Sequence, residues 1–362
     1  MADQPANPNG PTDSASYAAA AFAEVKDKPF PDDIFTAPTL RWAIIGCGVI
    51  ANQMAQSFAL AGRTVDGIWN RTRAKADAYA ATYGVPKVYD TVEELYADPD
   101  IDAIYVTTPH NTHIAYLRGA LAAGKHVLCE KSITLNSEEL AEARAIADAH
   151  HVQLIDATTI LHMPLYREII RRAMADEFGK MNLVQINFGS YKEFDPKSRF
   201  YSRDLAGGAM LDIGVYALSL ARLFMVSQPD DVVSVVNACE TGVDVTSGIV
   251  MRNAELQMAV ISLSLHSKQP KRAMLSFERC YVEVMEYPRA DHATITWTAD
   301  GRREEVRAGE EAYALCYEVA DLERAVAGDE VERNMIAYTS DVMALMTGLR
   351  RQWGIRYPEE EA

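Results

Sequence analysis

Six residues, Gly46-Cys47-Gly48-Val49-Ile50-Ala51, constrain this chain more than any other stretch, because of what lies on either side of them. Before them, LRWAIIG (residues 40–46) is an apolar run of strand length that ends in glycine. After them, an alanine-rich stretch without proline reads as a helix stopping at Gly62. A G-x-G-x-x-G/A pattern between a strand and a helix has a mechanical meaning. The first glycine permits the tight turn, the second lets main-chain amides approach a pyrophosphate, and a small third residue lets helix and strand pack closely. The helix N-terminus adds unpaired N–H groups and a partial positive charge. Gly46, Gly48, Val49, Ile50 and Ala51 are therefore expected to cradle a dinucleotide.

The same rhythm continues downstream. Strand candidates at 65–69, 101–109, 126–131 and 152–158 alternate with helical stretches at 72–83, 113–123 and 137–150, which predicts a parallel sheet with helices on both faces. From about residue 160 the pattern changes. A helix at 164–178 is followed by strand candidates at 183–188, 232–240, 247–250, 258–265, 273–277, 281–285 and 293–298, with one firm helix at 207–225. Residues 313–353 return to helix. The fold class expected is α/β: an N-terminal Rossmann dinucleotide-binding domain, then an α+β domain with an open, mostly antiparallel sheet. Residues 1–38 read as a flexible N-terminal extension, 39–158 as the Rossmann domain and 159–362 as a substrate and oligomerisation domain whose last helices pack back on the first. An open sheet face needs cover, which predicts a homodimer or homotetramer.

Composition narrows the function. The chain carries a formal charge of −16, which excludes nucleic-acid binding as its main business, since that binding is driven by Lys and Arg. No apolar run approaches the roughly 20 residues needed to cross a bilayer, and the N-terminus MADQPANPNG lacks the basic and apolar parts of a secretory signal, so a cytoplasmic protein off the membrane is expected. Cys47, Cys129, Cys239, Cys280 and Cys316 are scattered without a Cys-x-x-Cys pair and suggest neither disulfides nor a zinc site. His110, His113 and His126 have no carboxylate at metal-site spacing, and no metal is expected.

At the end of the second strand a protein preferring NAD usually presents an acid to the ribose hydroxyls. Here the residues are Trp69-Asn70-Arg71-Thr72-Arg73, with no acid. Two guanidinium groups stand where a 2′-phosphate lies, so NADP is expected over NAD, with Asn70 and Arg71 at the ribose. The plainer alternative is that both arginines solvate a helix start.

Two further segments carry chemistry. Glu130-Lys131-Ser132 ends a predicted strand, at the edge where open α/β sheets place ligands. In Gly207-Gly208-Ala209-Met210-Leu211-Asp212-Ile213-Gly214-Val215-Tyr216, helical spacing puts Asp212 and Tyr216 on one face. With the glycine turn, these motifs resemble the glucose–fructose oxidoreductase/inositol dehydrogenase (Gfo/Idh/MocA) superfamily over about residues 40–350. Ser132 departs from the proline of the common EKP motif, and Tyr216 stands where many members carry histidine. The tyrosine form, with FDPKSRF (194–200) and ETGVD (240–244), is similar to the branch holding dimeric dihydrodiol dehydrogenase, D-xylose 1-dehydrogenase and glucose–fructose oxidoreductase.

The resemblance implies hydride transfer between NAD(P) and a secondary alcohol or hemiacetal of a sugar, cyclitol or vicinal diol. It also places Thr107, Pro109, Asn111 and His113 in a loop beside the nicotinamide, with Glu130 and Lys131 next to it. A tyrosine of ordinary pKa near 10 is a poor base at neutral pH, and an adjacent ammonium stabilises its phenolate. Tyr216 is therefore expected as acid/base, Lys131 as its electrostatic partner and donor to the substrate oxygen, and Asp212 as a holder of the substrate hydroxyl or of the lysine. The roles of Lys131 and Tyr216 are exchangeable. His162, Tyr166, Lys192, Arg199 and Tyr201 are pocket candidates. Two other readings compete: a sensor that binds the dinucleotide without catalysis, and a redox-neutral NAD-dependent glycosidase. The intact lysine, aspartate and tyrosine argue against the sensor, and the missing acid near Asn70 against the glycosidase.

Overall fold

In the computed structural model, Val25 and residues 28–361 are described. The first unit is built on a six-stranded parallel sheet of β1 (Trp42–Ile45), β2 (Gly67–Trp69), β3 (Lys87–Val88), β4 (Ala103–Val106), β5 (His126–Glu130) and β6 (Leu154–Ala157), in the order β3-β2-β1-β4-β5-β6. The helices between strands are α1 (Val49–Leu60), α2 (Arg73–Tyr83), α3 (Val92–Ala97), α4 (His113–Ala122) and α5 (Ser137–Ala149). The strand order reverses direction between β1 and β4, and the carboxyl ends of those strands are where this topology opens a ligand crevice. β3 and α3 carry little periodic signal in sequence, although α3 announces itself by a capping box between Thr91 and Glu94.

The second unit begins with α6 (Pro164–Met174). Its sheet has eight strands: β7 (Met181–Gly189), β8 (Asp231–Ala238), β9 (Asp244–Arg252), β10 (Met258–Ser264), β11 (Gln269–Phe277), β12 (Cys280–Met285), β13 (His292–Trp297) and β14 (Arg303–Arg307). In the order β14-β13-β12-β11-β7-β10-β9-β8 the pairings are antiparallel except β7 with β10. Alternate residues Val184, Ile186 and Phe188 on β7 and Ala259, Ile261 and Leu263 on β10 point inward, β7 against α7 (Val215–Phe224) and β10 against the turn Met210–Gly214 before it. Strand β14, rich in Arg and Glu, was not visible as a strand in sequence.

The helical C-terminal stretch is two helices, α8 (Ala314–Ala327) and α9 (Glu330–Gln352), because Gly328 adopts the left-handed conformation that ends α8 and Asp329 caps α9. Leu315, Val319 and Leu322 of α8 share one apolar cluster with Ile44, Met54 and Phe58 of the first unit. Residues 1–24, 26 and 27, most of the extension expected to be flexible, lie outside the described residues. The remainder does not hang free: Ile34 is buried, Phe30 packs edge-on against Tyr313, and the Arg63 guanidinium lies over the Phe35 ring. One stretch among the described residues, Arg203–Phe224, is long and apolar enough by composition to cross a membrane, although Asp204, Asp212 and Arg222 interrupt it. It is mostly buried and forms the core of the second unit, where an all-round apolar helix belongs.

Candidate active site

The glycine turn has the geometry its chemistry demands. Gly46 sits at φ +108°, and a Cβ there would stand 2.5 Å from Thr107 Oγ1 and 3.2 Å from its carbonyl oxygen, so only glycine fits. At Gly48 the nearest neighbour of such a Cβ is the Thr107 oxygen at 4.0 Å, which leaves room above the main chain. Ala51 is fully buried, and the Tyr79 hydroxyl donates to its carbonyl at 2.7 Å. Helix α1 starts at Val49 with no side chain capping it and no acid in its first turn, whereas α3, α5 and α9 each carry a capping side chain. Its first amides are thus available to an anion, and Val49, 56% exposed, opens onto solvent. This cradle fits a dinucleotide pyrophosphate.

At the ribose end the two arginines part company. Arg73 is engaged by Asp77 at 2.8 Å and by Asp90, which corrects the picture of two arginines open to a phosphate. Arg71 is exposed and forms no ion pair among the described residues, and Asn70 Nδ2 donates to the Thr72 carbonyl at 3.0 Å. Of the expected loop residues, Thr107 Oγ1 donates to the Ile45 carbonyl at 3.0 Å, and Pro109 is exposed. Asn111 Nδ2 donates to Asp204 O at 3.2 Å and Glu359 Oε1 at 2.8 Å, which ties the loop to the second unit. His113, expected beside the cofactor, is fully buried, with its ring nitrogens on the main-chain oxygens of Ser132 at 3.0 Å and Thr108 at 2.7 Å. It holds the loop against the end of β5 instead of lining the cleft.

Glu130 and Lys131 stand at the carboxyl end of β5. The Tyr105 hydroxyl donates to Glu130, and burial pushes the Glu130 carboxyl above its ordinary value. Lys131 Nζ donates to the main-chain oxygen of Asp212 at 2.7 Å and to its carboxylate at 3.2 Å, and lies over the Tyr216 ring 4.9 Å from its centre. Asp212 belongs to a π-helical turn, Met210–Gly214, that opens α7 and offers its carbonyl to the lysine. Asp244 supports that turn: its buried carboxylate accepts the Met210 amide at 2.6 Å, and a Cβ on Gly208 would overlap it. The Lys131–Ser132 peptide bond is cis, and the Ser132 hydroxyl donates to Leu211 O at 2.9 Å, an attachment proline lacks. The β5 edge and the π turn are thereby fastened together.

Electrostatics follow from this packing. Burial opposes the Lys131 ammonium, but Asp212 and then Tyr216 outweigh it, and its pKa stands above the ordinary lysine value. Burial likewise opposes the Asp212 carboxylate, yet Lys131 and then Arg199 hold it well below the usual range. For Tyr216 burial dominates: Lys131 favours the phenolate, but the phenol remains above its ordinary value. His110, considered in sequence only as a metal ligand, is pushed down to about 3 by burial and then by Lys131, so its imidazole is neutral next to Lys131 and Asp212. Its place directly after Pro109, in the loop already singled out, was the available signal.

Three pocket candidates belong to the core. His162 is buried between Asp321, at 2.6 Å from Nδ1, and the Asp156 carbonyl, at 2.8 Å from Nε2. The Tyr166 hydroxyl donates to Tyr287 O, and that of Tyr201 to Lys192 O at 2.9 Å, with both side chains fully buried. Lys192 and Arg199 do face the site, through their proximity to Asp212. Sequence inspection passed over Arg289, which reaches from the second unit to Gln53 of α1 at 3.2 Å and acts on both Glu130 and Tyr216.

A glycine-turn Rossmann unit whose strand-end lysine meets an aspartate and a tyrosine from an adjoining α+β unit is an oxidoreductase of the nicotinamide-dinucleotide class. Comparison with known proteins agrees: residues 40–157 match the oxidoreductase family model with an NAD-binding Rossmann fold, and residues 166–284 match the GFO/IDH/MocA C-terminal domain. The chain belongs to the GFO/IDH/MocA family. Among curated relatives, trans-1,2-dihydrobenzene-1,2-diol dehydrogenase of Sus scrofa is 27% identical over 89% of this chain and 99% of its own. The Homo sapiens protein of that name is 32% identical over 59% of this chain and 64% of its own. Among solved structures, an aldose–aldose oxidoreductase from Caulobacter crescentus superposes with a TM-score of 0.77 at 22% identity, covering 87% of this chain and 98% of that one. A 3-ketoreductase from Actinomadura kijaniata, solved with NADP and TDP-benzene, gives 0.76 at 22% identity with the same coverage.

Proposed function

We propose that the protein is an NADP-preferring dehydrogenase/reductase acting on a secondary alcohol or hemiacetal of a sugar, cyclitol or vicinal diol, with Lys131, Asp212 and Tyr216 as its catalytic residues. The observation that carries this reading is the convergence of Lys131 on Asp212 at 2.7 and 3.2 Å and on the Tyr216 ring at 4.9 Å, beside a turn shaped for a dinucleotide. When bound, the nicotinamide supplies or takes up the hydride. The turn at Gly46 and Gly48 with the first amides of α1 holds the pyrophosphate, and Arg71 takes the 2′-phosphate. In the reducing direction a substrate oxygen accepts hydrogen bonds from Lys131 Nζ and the Tyr216 hydroxyl, and one of them delivers the proton. Asp212 fixes the ammonium so that its charge is aimed at the oxygen where negative charge develops.

The test is a panel of aldoses, cyclitols and trans-dihydrodiols, followed by absorbance of the reduced cofactor with NADP and NAD in parallel. Turnover with at least one class, favouring NADP, is expected. Dinucleotide binding with no turnover across the panel favours a sensor.

The five free cysteines suit a reducing compartment, and we place the protein in the cytoplasm. We also place a second copy of the chain on the outer face of the eight-stranded sheet. Val233, Val250 and Val260 lie in one cross-strand row there, and Val233 and Val235 are 65% and 74% exposed. Ser234, between those two valines, faces the other way and accepts from Trp353 Nε1 at 2.9 Å.

A further inference from the structure

We infer that the substrate is a monosaccharide bearing an anionic group, a carboxylate or a phosphoryl, which Lys192 and Arg199, both packed on the Phe200 ring, hold while its hydroxyl or carbonyl reacts at Lys131 and Tyr216. The inference rests on the oxidoreductase reading and adds the chemical class of the substrate.

Phe200 is shared by two cations. Lys192 Nζ lies 4.6 Å and the Arg199 guanidinium carbon 4.5 Å from the centre of its ring, so the two charges stand no more than about 9 Å apart. Neither has a carboxylate of its own. Lys192 forms no ion pair among the described residues, and Arg199 reaches only Asp212, at 3.8 Å, an acid already held by Lys131 at 3.2 Å. Burial opposes the Lys192 ammonium; Asp212 supports it, and Arg199, Lys268 and Lys271 act against it. Lys271 is matched by Glu286 at 2.8 Å and lies over Phe188, whose ring is 6.2 Å from that of Tyr216. In a chain of net charge −16, a half-buried ammonium and an exposed guanidinium gathered where the one acid they reach among the described residues, Asp212, is already held by Lys131 run against composition. Such an arrangement is relieved by an anion, and a guanidinium fork suits carboxylate and phosphate alike.

Size follows from position. Arg199 stands 3.8 Å from the same Asp212 carboxylate that holds Lys131, so the anionic group and the reacting carbon lie within one sugar unit. A neutral diol leaves both cations unanswered.

The test compares D-glucose, D-glucuronate and D-glucose 6-phosphate as substrates of the full chain loaded with NADP, with isothermal titration of each sugar in parallel. At least one anionic sugar is expected to exceed glucose in kcat/KM by about tenfold or more, an advantage that falls with added salt. The better of the two identifies the anion as carboxylate or phosphoryl. K192Q and R199Q should each cut the anionic-to-neutral ratio by about tenfold through KM, with unchanged NADP affinity as the control for folding, and K192R should restore most of the loss. A ratio near one, or a ratio that K192Q leaves alone, overturns the inference. If none of the three is turned over, the wider panel of aldoses, cyclitols and dihydrodiols decides the oxidoreductase reading, and the titration decides the anion site by itself. Anion binding weakened by K192Q sustains it, and absence of binding by both anionic sugars overturns it.

Discussion

The Lys131 ammonium lies over the face of the Tyr216 ring, 4.9 Å from its centre, while its hydrogen bonds go to Asp212. The lysine thus acts on the tyrosine through its π-cloud, and burial has the larger effect on the phenol. Both groups keep their protons in neutral solution, so under the proposed mechanism the free site is a proton donor for carbonyl reduction.

The pH profile of reduction follows from that poise. Raised values for Lys131 and Tyr216 mean that each proton stays on until pH passes the ordinary values near 10. The rate of carbonyl reduction should be level from about pH 6 to 9 and decline only beyond. A decline centred near pH 7, read from initial rates, contradicts the assignment.

Lys131→Met removes the ammonium that both Asp212 and the Tyr216 ring engage. Turnover should fall several hundredfold or more, a loss of roughly 3 to 4 kcal/mol of transition-state stabilisation, with NADP affinity changed only a few-fold. Steady-state kinetics and cofactor titration together check it, and near-normal turnover removes Lys131 from the mechanism.

The contrast between Arg71 and Arg73 gives a paired test. Arg71→Ala should weaken NADP about tenfold or more relative to NAD, because a free guanidinium is lost. Arg73→Ala should have a smaller effect on that ratio, since its side chain is taken up by Asp77 and Asp90. Equal loss of both dinucleotides in Arg71→Ala excludes the 2′-phosphate role.

Stability should fall on the alkaline side. Burial opposes a charged His162, but Asp321 outweighs it and raises its pKa from 6.5 to about 9. A raised folded-state pKa means that the contribution is complete below about pH 6.5 and is lost as pH rises through about 9, on the order of 3 kcal/mol in all. Glu318, pushed up to about 8 by burial, changes with the same sign over a lower window. Chemical unfolding at pH 6 and pH 9 should show the wild type losing more stability than His162→Gln, in which Asp321 keeps Arg167 at 2.6 Å and Arg324. Parallel losses in both proteins rule His162 out as the titrating group.

The outer sheet face is tested by charge. Val235→Asp places a carboxylate on the exposed valine face and should convert the assembly to monomers in sedimentation without loss of secondary structure. A wild-type protein already monomeric at micromolar concentration refutes the second copy.

What the sequence determined by itself was the local physics. The turn at Gly46 and Gly48, the alternation of strands and helices up to Ala157, and the motifs carrying Lys131, Asp212 and Tyr216 were all legible, because each depends on residue type at short spacing. β3 and β14 were not, one being two residues long and the other charged, so neither shows an apolar period. What only the tertiary structure decided was which polar groups are already spoken for. Arg73 is tied to Asp77 and Asp90 while Arg71 has no ion pair among the described residues, His113 and His162 are bound into the interior, and His110 and Lys192 stand near Asp212. Residue type states what a side chain is able to do, but its partners, up to 159 positions away for His162 and Asp321, decide whether it is left to do it.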